Sequence, residues 1–299
     1  MRDELFALCR RYADAHVDSS GVAVTPVPGI TLVRALHPGD LQAAIARPLV
    51  AIARPLVAML LQGRKSVTTG LASFDYGPGE AMVIAADVPT TSQITEASQR
   101  FPYYALVLEL DLAILRELQE VGPSGGDEAP RVGIEPMNAD VTDAAYRLAR
   151  LFDQPGALAV LGEGLRRELH YWLLQSVHGA AIRALGVADS HSARIRRAVA
   201  VLRRDFMQPV SVDALADAAG MSVSVFHRHF RAMTTLSPLQ FQKQLRLIHA
   251  RRLMLAEGMS IAQAAGEVGY ISVSQFTREY ARLYGAPPGR DRRRERMST

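Results

Sequence analysis

One cysteine, Cys9, is all that this 299-residue chain carries. An internal disulfide is therefore excluded, and a reducing compartment suits the chain. No uninterrupted apolar run reaches about 18 residues, so no transmembrane helix is expected. The opening Met1-Arg-Asp-Glu-Leu-Phe6 bears acids and has no apolar signal core, which predicts no secretory leader and a cytoplasmic location. Histidine is equally thin where a metal site would need it. Outside the C-terminal third the chain offers His16, His37, His170, His178 and His191, and only His37 falls in the stretch that reads as β-structure. Nothing supports a His-based metal centre, and no metal or cofactor is expected. The lone Trp172 reads as a core or interface residue rather than a ligand-binding one.

What the chain has is an uneven charge. The net charge is only +4, yet Ser190 onward holds 18 basic against 8 acidic side chains, leaving 16 against 22 for the rest. One end suits a polyanion and the other does not. Within the basic end, two segments repeat each other. Ala214-Leu-Ala-Asp-Ala-Ala-Gly-Met-Ser-Val-Ser-Val-Phe-His-Arg-His-Phe230 is answered by Ala262-Gln-Ala-Ala-Gly-Glu-Val-Gly-Tyr-Ile-Ser-Val-Ser-Gln-Phe-Thr-Arg-Glu-Tyr280. Gly220 and Gly269 lie 49 positions apart, Phe226 and Phe276 lie 50 apart.

Each segment has the grammar of a helix-turn-helix. A small residue, Ala216 or Ala265, lets two helices cross closely. Gly220 or Gly269 supplies the left-handed turn, Met221 or Tyr270 plugs the corner, and Ser222 or Ser272 stands where an N-cap belongs. Phe226 with Phe230, and Phe276 with Tyr280, put an aromatic stripe into the core. Ser224, His227 and Arg228 then face outward from the first head, and Ser274, Thr277 and Arg278 from the second. An Arg on such a face reaches guanine edges or phosphate. Two hairpins in matching register in a basic region point to DNA binding, where a single one could be an ordinary solvated hairpin.

Residues 195–289 resemble the double helix-turn-helix domain of the AraC/XylS transcription regulators. Leu215-Ala-Asp-Ala-Ala-Gly-Met-Ser222, Ser237-Pro-Leu-Gln-Phe241, Ala250-Arg-Arg-Leu-Met254, the Gly269–Tyr280 run and Gly285-Ala-Pro-Pro288 carry the likeness. The resemblance implies promoter DNA as a partner, RNA polymerase as a further one, and activation as the family habit.

The N-terminal part reads as an α+β unit. Residues 3–18 predict a helix, broken by Thr25-Pro-Val-Pro-Gly29. Short β-like runs follow at Ile30–Ala35, Val57–Gln62, Ser66–Thr69, Ala72–Tyr76, Ala81–Ala86 and Tyr103–Leu110, punctuated by Gly and Pro turns, and predict a small barrel or sandwich. Leu61-Gln-Gly-Arg-Lys65, Gly77-Pro-Gly-Glu80, Asp87-Val-Pro89 and Gln93–Ser98 are similar to the cupin-like sensing domain of one AraC subgroup. That likeness implies a small-molecule effector and no reaction. The effector and its binding residues are not legible.

One stretch departs from the family pattern: Ile45-Ala-Arg-Pro-Leu-Val-Ala51 recurs at once as Ile52-Ala-Arg-Pro-Leu-Val-Ala58. Seven is odd, so in a single strand the two copies would face opposite sides of the sheet. One copy is expected to keep the strand and the other to loop out. Deleting 52–58 and measuring promoter output without effector tests whether the loop biases regulation.

Farther on, Asp111–Val121 and Asn138–Leu151 predict helices, with Pro155-Gly ending the second. Glu163–Leu185 predicts one long helix, and residues 122–130 a flexible connection. The family likeness assigns 138–185 to homodimerisation. The organisation expected is a cupin-like β-barrel with flanking helices over 1–185, a linker at 186–192, an all-α DNA-binding domain with two helix-turn-helix motifs over 193–289, and a disordered basic tail at 290–299. Pro238 should open a long connecting helix to about Ala256. If it holds the reading helices about 34 Å apart, they enter successive major-groove turns. Arg228 and Arg278 are the expected main contacts. Arg196, Arg197, Arg246, Arg251 and Arg252 are candidate phosphate neutralisers.

Two other classes are open. A DNA-targeted enzyme, of the alkyl-transfer or cupin type, would want a reactive cysteine with activating neighbours, and Cys9 stands alone in a helix. An architectural DNA binder would need no barrel.

Overall fold

The computed structural model describes residues 1–40, 52–69, 72–120, 130–187 and 189–298. Two antiparallel sheets carry the N-terminal part. The larger is ordered β1 (Val22–Val24), β2 (Ile30–Ala35), β10 (Tyr103–Glu109), β5 (Leu56–Gln62), β8 (Glu80–Ile84), β11 (Val132–Pro136). The smaller is ordered β3 (Gly39–Asp40), β9 (Val88–Glu96), β6 (Arg64–Thr69), β7 (Ala72–Tyr76), with β4 (Ile52–Ala53) also on β9. They form two stacked sheets, the sandwich of the two expected alternatives, and among the described residues do not close into a barrel.

Central strand β5 shows why the core divides in two. Val57, Met59 and Leu61 point one way and Ala58 and Leu60 the other, each set buried in a different cluster. The first cluster is roofed by helices α1 (Arg2–His16), α2 (Leu112–Glu117), α3 (Ala139–Ala149), α4 (Pro155–Leu174) and α5 (Gly179–Gly186). The second lies between the sheets. There Lys65 shares the face of Val67 and stands opposite Tyr76, and burial pushes its amine down to about 8. Tyr76 and Tyr103 are buried in the same interior, and burial raises both phenols.

Of the tandem heptapeptide, the second copy supplies β4 and the start of β5, with the Pro55 carbonyl accepting from the Leu110 amide at 2.8 Å. The first copy, and with it the expected loop, lies outside the described residues. So does the connection at 122–129.

Three helix expectations need correction. Pro155 opens α4 at its first turn instead of closing α3, because its missing amide costs nothing there. The long helix expected over 163–185 is two, α4 and α5, broken where buried Glu135 on β11 accepts from the His178 amide (3.0 Å) and pairs with its Nδ1 (2.9 Å). The basic tail is not loose: α12 (Pro288–Ser298) is a helix, anchored at Asp291. Trp172 packs against the first core cluster and donates to Glu168 at 3.3 Å.

The C-terminal helices are α6 (His191–Asp205), α7 (Val212–Ala219), α8 (Val223–Thr234), α9 (Pro238–Ala256), α10 (Ile261–Glu267), α11 (Val273–Tyr284) and α12. Helix α9 belongs to both halves. Its Phe241 and Leu245 join one core with α6, α7 and α8, while Leu247, Ala250, Leu253 and Met254 join another with α10 and α11. Ser237 and Gln240 close a capping box at its start, before Pro238.

Candidate nucleic-acid interface

The two heads are built alike. Ser211 caps α7 by accepting from the Ala214 amide at 3.1 Å. Gly220 ends it with φ 62°, and the Met221 amide returns to the Ala216 carbonyl at 3.0 Å. In the second head Ser260 and Gln263 form a capping box on α10, Gly269 takes φ 83°, and the Tyr270 amide returns to the Ala265 carbonyl at 2.9 Å. Both are helix ends closed by a left-handed glycine. Ala216, Ala265, Phe226, Phe230, Phe276 and Tyr280 are all buried. Ser272 caps α11 by accepting from Gln275 at 3.3 Å, whereas Ser222 stands at the N-cap of α8 without a side-chain cap bond.

With the aromatic stripes turned inward, Ser224, His227, Arg228, Ser274 and Arg278 are exposed, and Thr277 is half-buried. An open groove of about 480 Å³ runs beside α8, lined by His227, Arg228, Arg231, Ala232 and Ser237. Arg231 was not singled out from the sequence; lying three residues past Arg228, it shares that face. On α11, Glu279 accepts from Lys243 (2.9 Å), Tyr270 (2.7 Å) and Gln275 (3.2 Å). Burial raises its carboxyl, but these bonds hold it below the usual range.

Arg246 is placed differently from the expectation. Its guanidinium donates to the carbonyls of Phe206 (2.7 Å), Met207 and Gln208 (3.2 Å each) and Gly269 (3.2 Å). It ties the end of α6 to the turn of the second head, engaging four of its five N–H donors within the protein. Gln242, one turn earlier, donates to Phe206 and Gln208 at 3.0 and 2.6 Å. Arg251 pairs with Asp291 at 2.7 Å and lies over the Tyr284 ring, Arg252 pairs with Glu257 at 2.8 Å, and Arg196 donates to the Leu185 carbonyl at 3.3 Å. Arg197 is exposed, 3.8 Å from Asp189. The sequence shows the charges but not these partners, which lie up to 40 positions away.

The first head touches the sheets. Asp87, after β8, lies 4.0 Å from Arg203 of α6, and burial raises its carboxyl against the pull of Arg196, Arg203 and Arg54. A cavity of about 20 Å³, room for roughly one water, is lined by Asp87, Arg196 and, from the end of α8, Met233 and Thr234. Helix α9 packs on β9.

Residues 26–181 match the family model of the AraC-type transcriptional regulator N-terminus, and 215–294 that of a helix-turn-helix domain. The chain belongs to the AraC-type transcriptional regulators. GbdR of Pseudomonas aeruginosa is 32% identical over 100 residues, 33% of this chain and 27% of GbdR. LcrF of Yersinia pestis is 25% identical over 181 residues, 58% of this chain and 64% of LcrF. The chain thus spans only about a quarter of GbdR's length. In fold it is similar to ToxT of Vibrio cholerae, at TM-score 0.54 and 10% identity, over 87% of this chain and 96% of ToxT. A ToxT structure with an unsaturated fatty acid bound superposes at TM-score 0.51 and 10% identity, over 86% and 93% of the two chains.

These relatives are transcription regulators, in keeping with the AraC-type regulator family that the chain's N-terminal match shows. Cys9 is buried in α1 and its thiol is pushed up to about 12 by burial, which leaves it without the thiolate that alkyl transfer needs. Among the described residues no group of three or more His, Cys, Asp or Glu could hold a metal ion, and no helix is long and apolar enough to cross a membrane.

Proposed function

We propose that the chain binds promoter DNA sequence-specifically through α8 and α11, under the control of a small effector held between the two N-terminal sheets. One observation carries the reading: two outward faces, Ser224/His227/Arg228 and Ser274/Thr277/Arg278, sit on helices whose cores share α9. One protomer then reads an asymmetric site, one half with each head. Activation through RNA polymerase and homodimerisation through 138–185 follow the family habit. The outward side of α4 carries exposed Val160 and Leu161, in keeping with a second protomer there.

The effector reading is supported by the apolar interior that holds Lys65, Tyr76 and Tyr103. A fold neighbour solved with an unsaturated fatty acid makes apolar acids the first class to try. Ligands that raise the melting temperature of the full chain and change its promoter output identify the effector.

The DNA reading is tested by selecting duplexes from a random pool with the full chain and measuring Arg228→Ala and Arg278→Ala on the winners. Each loss should amount to about 1–3 kcal/mol, with relaxed preference at one position for a base contact, or a uniform loss and a shallower salt slope for a phosphate contact. A pool that never enriches sinks the reading.

A further inference from the structure

The two heads differ by one residue. Gly220 and Gly269 are 49 positions apart, while Ser222 and Ser272, at the N-caps of α8 and α11, are 50 apart. Met221 follows the first glycine and packs against the core. Tyr270 takes the same place in the second head, with the same returning amide bond and its ring 5.3 Å from that of Phe276. Ile271 is therefore the additional residue.

A residue just before an N-cap ordinarily staples onto the fourth helical residue, which here is Phe276. Tyr270 already holds that contact. Ile271 is left fully exposed, at 105%, the most open large apolar side chain among the described residues. Val273 beside it is 42% exposed, and its counterpart Val223 in the first head is 39% exposed, so Ile271 is what sets the second head apart.

Nothing in the core of the second head uses Ile271: that core is made by Ala264, Ala265, Val268, Phe276 and Tyr280 with α9. It stands at the leading end of α11, the end whose residues meet base edges when a reading helix enters a major groove. The apolar group displayed in that groove is the thymine C5-methyl; the other edges are donors and acceptors. An aliphatic side chain gains by desolvation against the methyl. Against a cytosine amino group or a guanine carbonyl it leaves a polar edge unpaired.

We propose that Ile271, assisted by Val273, is a specificity-determining residue that recognises thymine methyl groups in the half-site read by α11. This rests on the groove-reading role proposed for that helix. A protein partner could also cover an exposed isoleucine, but continuity with the exposed Ser274 and Arg278 favours DNA. The two half-sites then differ in that only the one read by α11 gains the Ile271 methyl contact.

The test starts from a duplex selected by the full chain. Thymines are replaced singly by deoxyuridine, which deletes only the methyl, and binding is compared for wild type and Ile271→Ala. Expected is about a fourfold loss, that of one buried methyl, at one or two thymines of the α11 half-site, and no such loss in Ile271→Ala. Because Ile271 is fully exposed, the variant should melt with wild type, which a thermal scan checks. Uniform tolerance of deoxyuridine, or a penalty that persists in Ile271→Ala, overturns the inference and leaves the groove-reading proposal standing. Unchanged DNA binding with lost transcription assigns Ile271 to a protein partner and overturns it too. A pool that never enriches removes both.

Discussion

Arg246 donates to the carbonyl of Gly269 at 3.2 Å while its other nitrogens hold Phe206, Met207 and Gln208. One planar group thus fixes the end of α6, the connecting helix and the second turn together. Lysine offers a single nitrogen and cannot span four carbonyls. Arg246→Lys should destabilise the chain by about 1–3 kcal/mol, because acceptors at the joint lose their donor. Urea unfolding measures the loss, and footprinting should show weakened protection of one half-site. A change confined to overall affinity, with unaltered stability, would mean that Arg246 acts on DNA after all.

Gly269 and Gly285 both adopt left-handed backbone, at φ 83° and 70°. A Cβ at Gly269 would sit 2.5 Å from the Met207 carbonyl and 3.2 Å from the Arg246 guanidinium, whereas at Gly285 it meets nothing within 4 Å. Gly285→Ala should cost only the conformational strain of about 1–2 kcal/mol. Gly269→Ala should cost clearly more, and a paired thermal melt decides it.

Asp291 accepts from Arg251 at 2.7 Å and from the buried Tyr280 hydroxyl at 2.6 Å. Burial pulls the Arg251 guanidinium down, but Asp291 and its neighbours more than offset this and keep it firmly charged. Asp291→Ala removes the two-toothed acceptor of Arg251 and the acceptor of the buried Tyr280 hydroxyl, and should cost about 1–3 kcal/mol. The loss belongs to the second head, so hydrogen exchange should rise in α10 and α11 before it rises in α7.

Acid should loosen the N-terminal unit through Glu135. Burial raises its carboxyl, but the bonds from the His178 side chain and backbone leave it below the ordinary 4.5. A depressed carboxyl contributes stability that is present above its unfolded value and lost as pH falls through its folded one. Urea midpoints measured downward from pH 5 should therefore fall for wild type below about 4.5. In Glu135→Gln that acid limb should be shallower and the midpoint at neutral pH lower. Parallel curves would assign the acid sensitivity to other groups.

The heads were legible because their grammar is local. Gly220, Ala216 and the Phe226/Phe230 stripe need only their own 20 or so residues to declare a turn, a crossing and a buried face. Strand β9, the longest in the fold, went unread because Pro89 and the Thr-Thr-Ser-Gln run look like a loop; pairing with β6 and β4 makes it a strand. The break after Leu174 and the ordering of α12 were hidden for a related reason. Each depends on one buried carboxylate, Glu135 or Asp291, whose partners lie on other elements. The same holds for Arg246, whose charge can be read from the chain but whose four acceptors cannot.

Strand β9 packs on α9, the helix whose opposite ends complete the two helical cores of the C-terminal part. A shift of that strand would reach both heads through a single axle, bypassing the short stretch between α5 and α6. Regulation by this route would alter the spacing and twist that the protein demands of its operator, so inserted base pairs between the half-sites should rescue one liganded state and penalise the other.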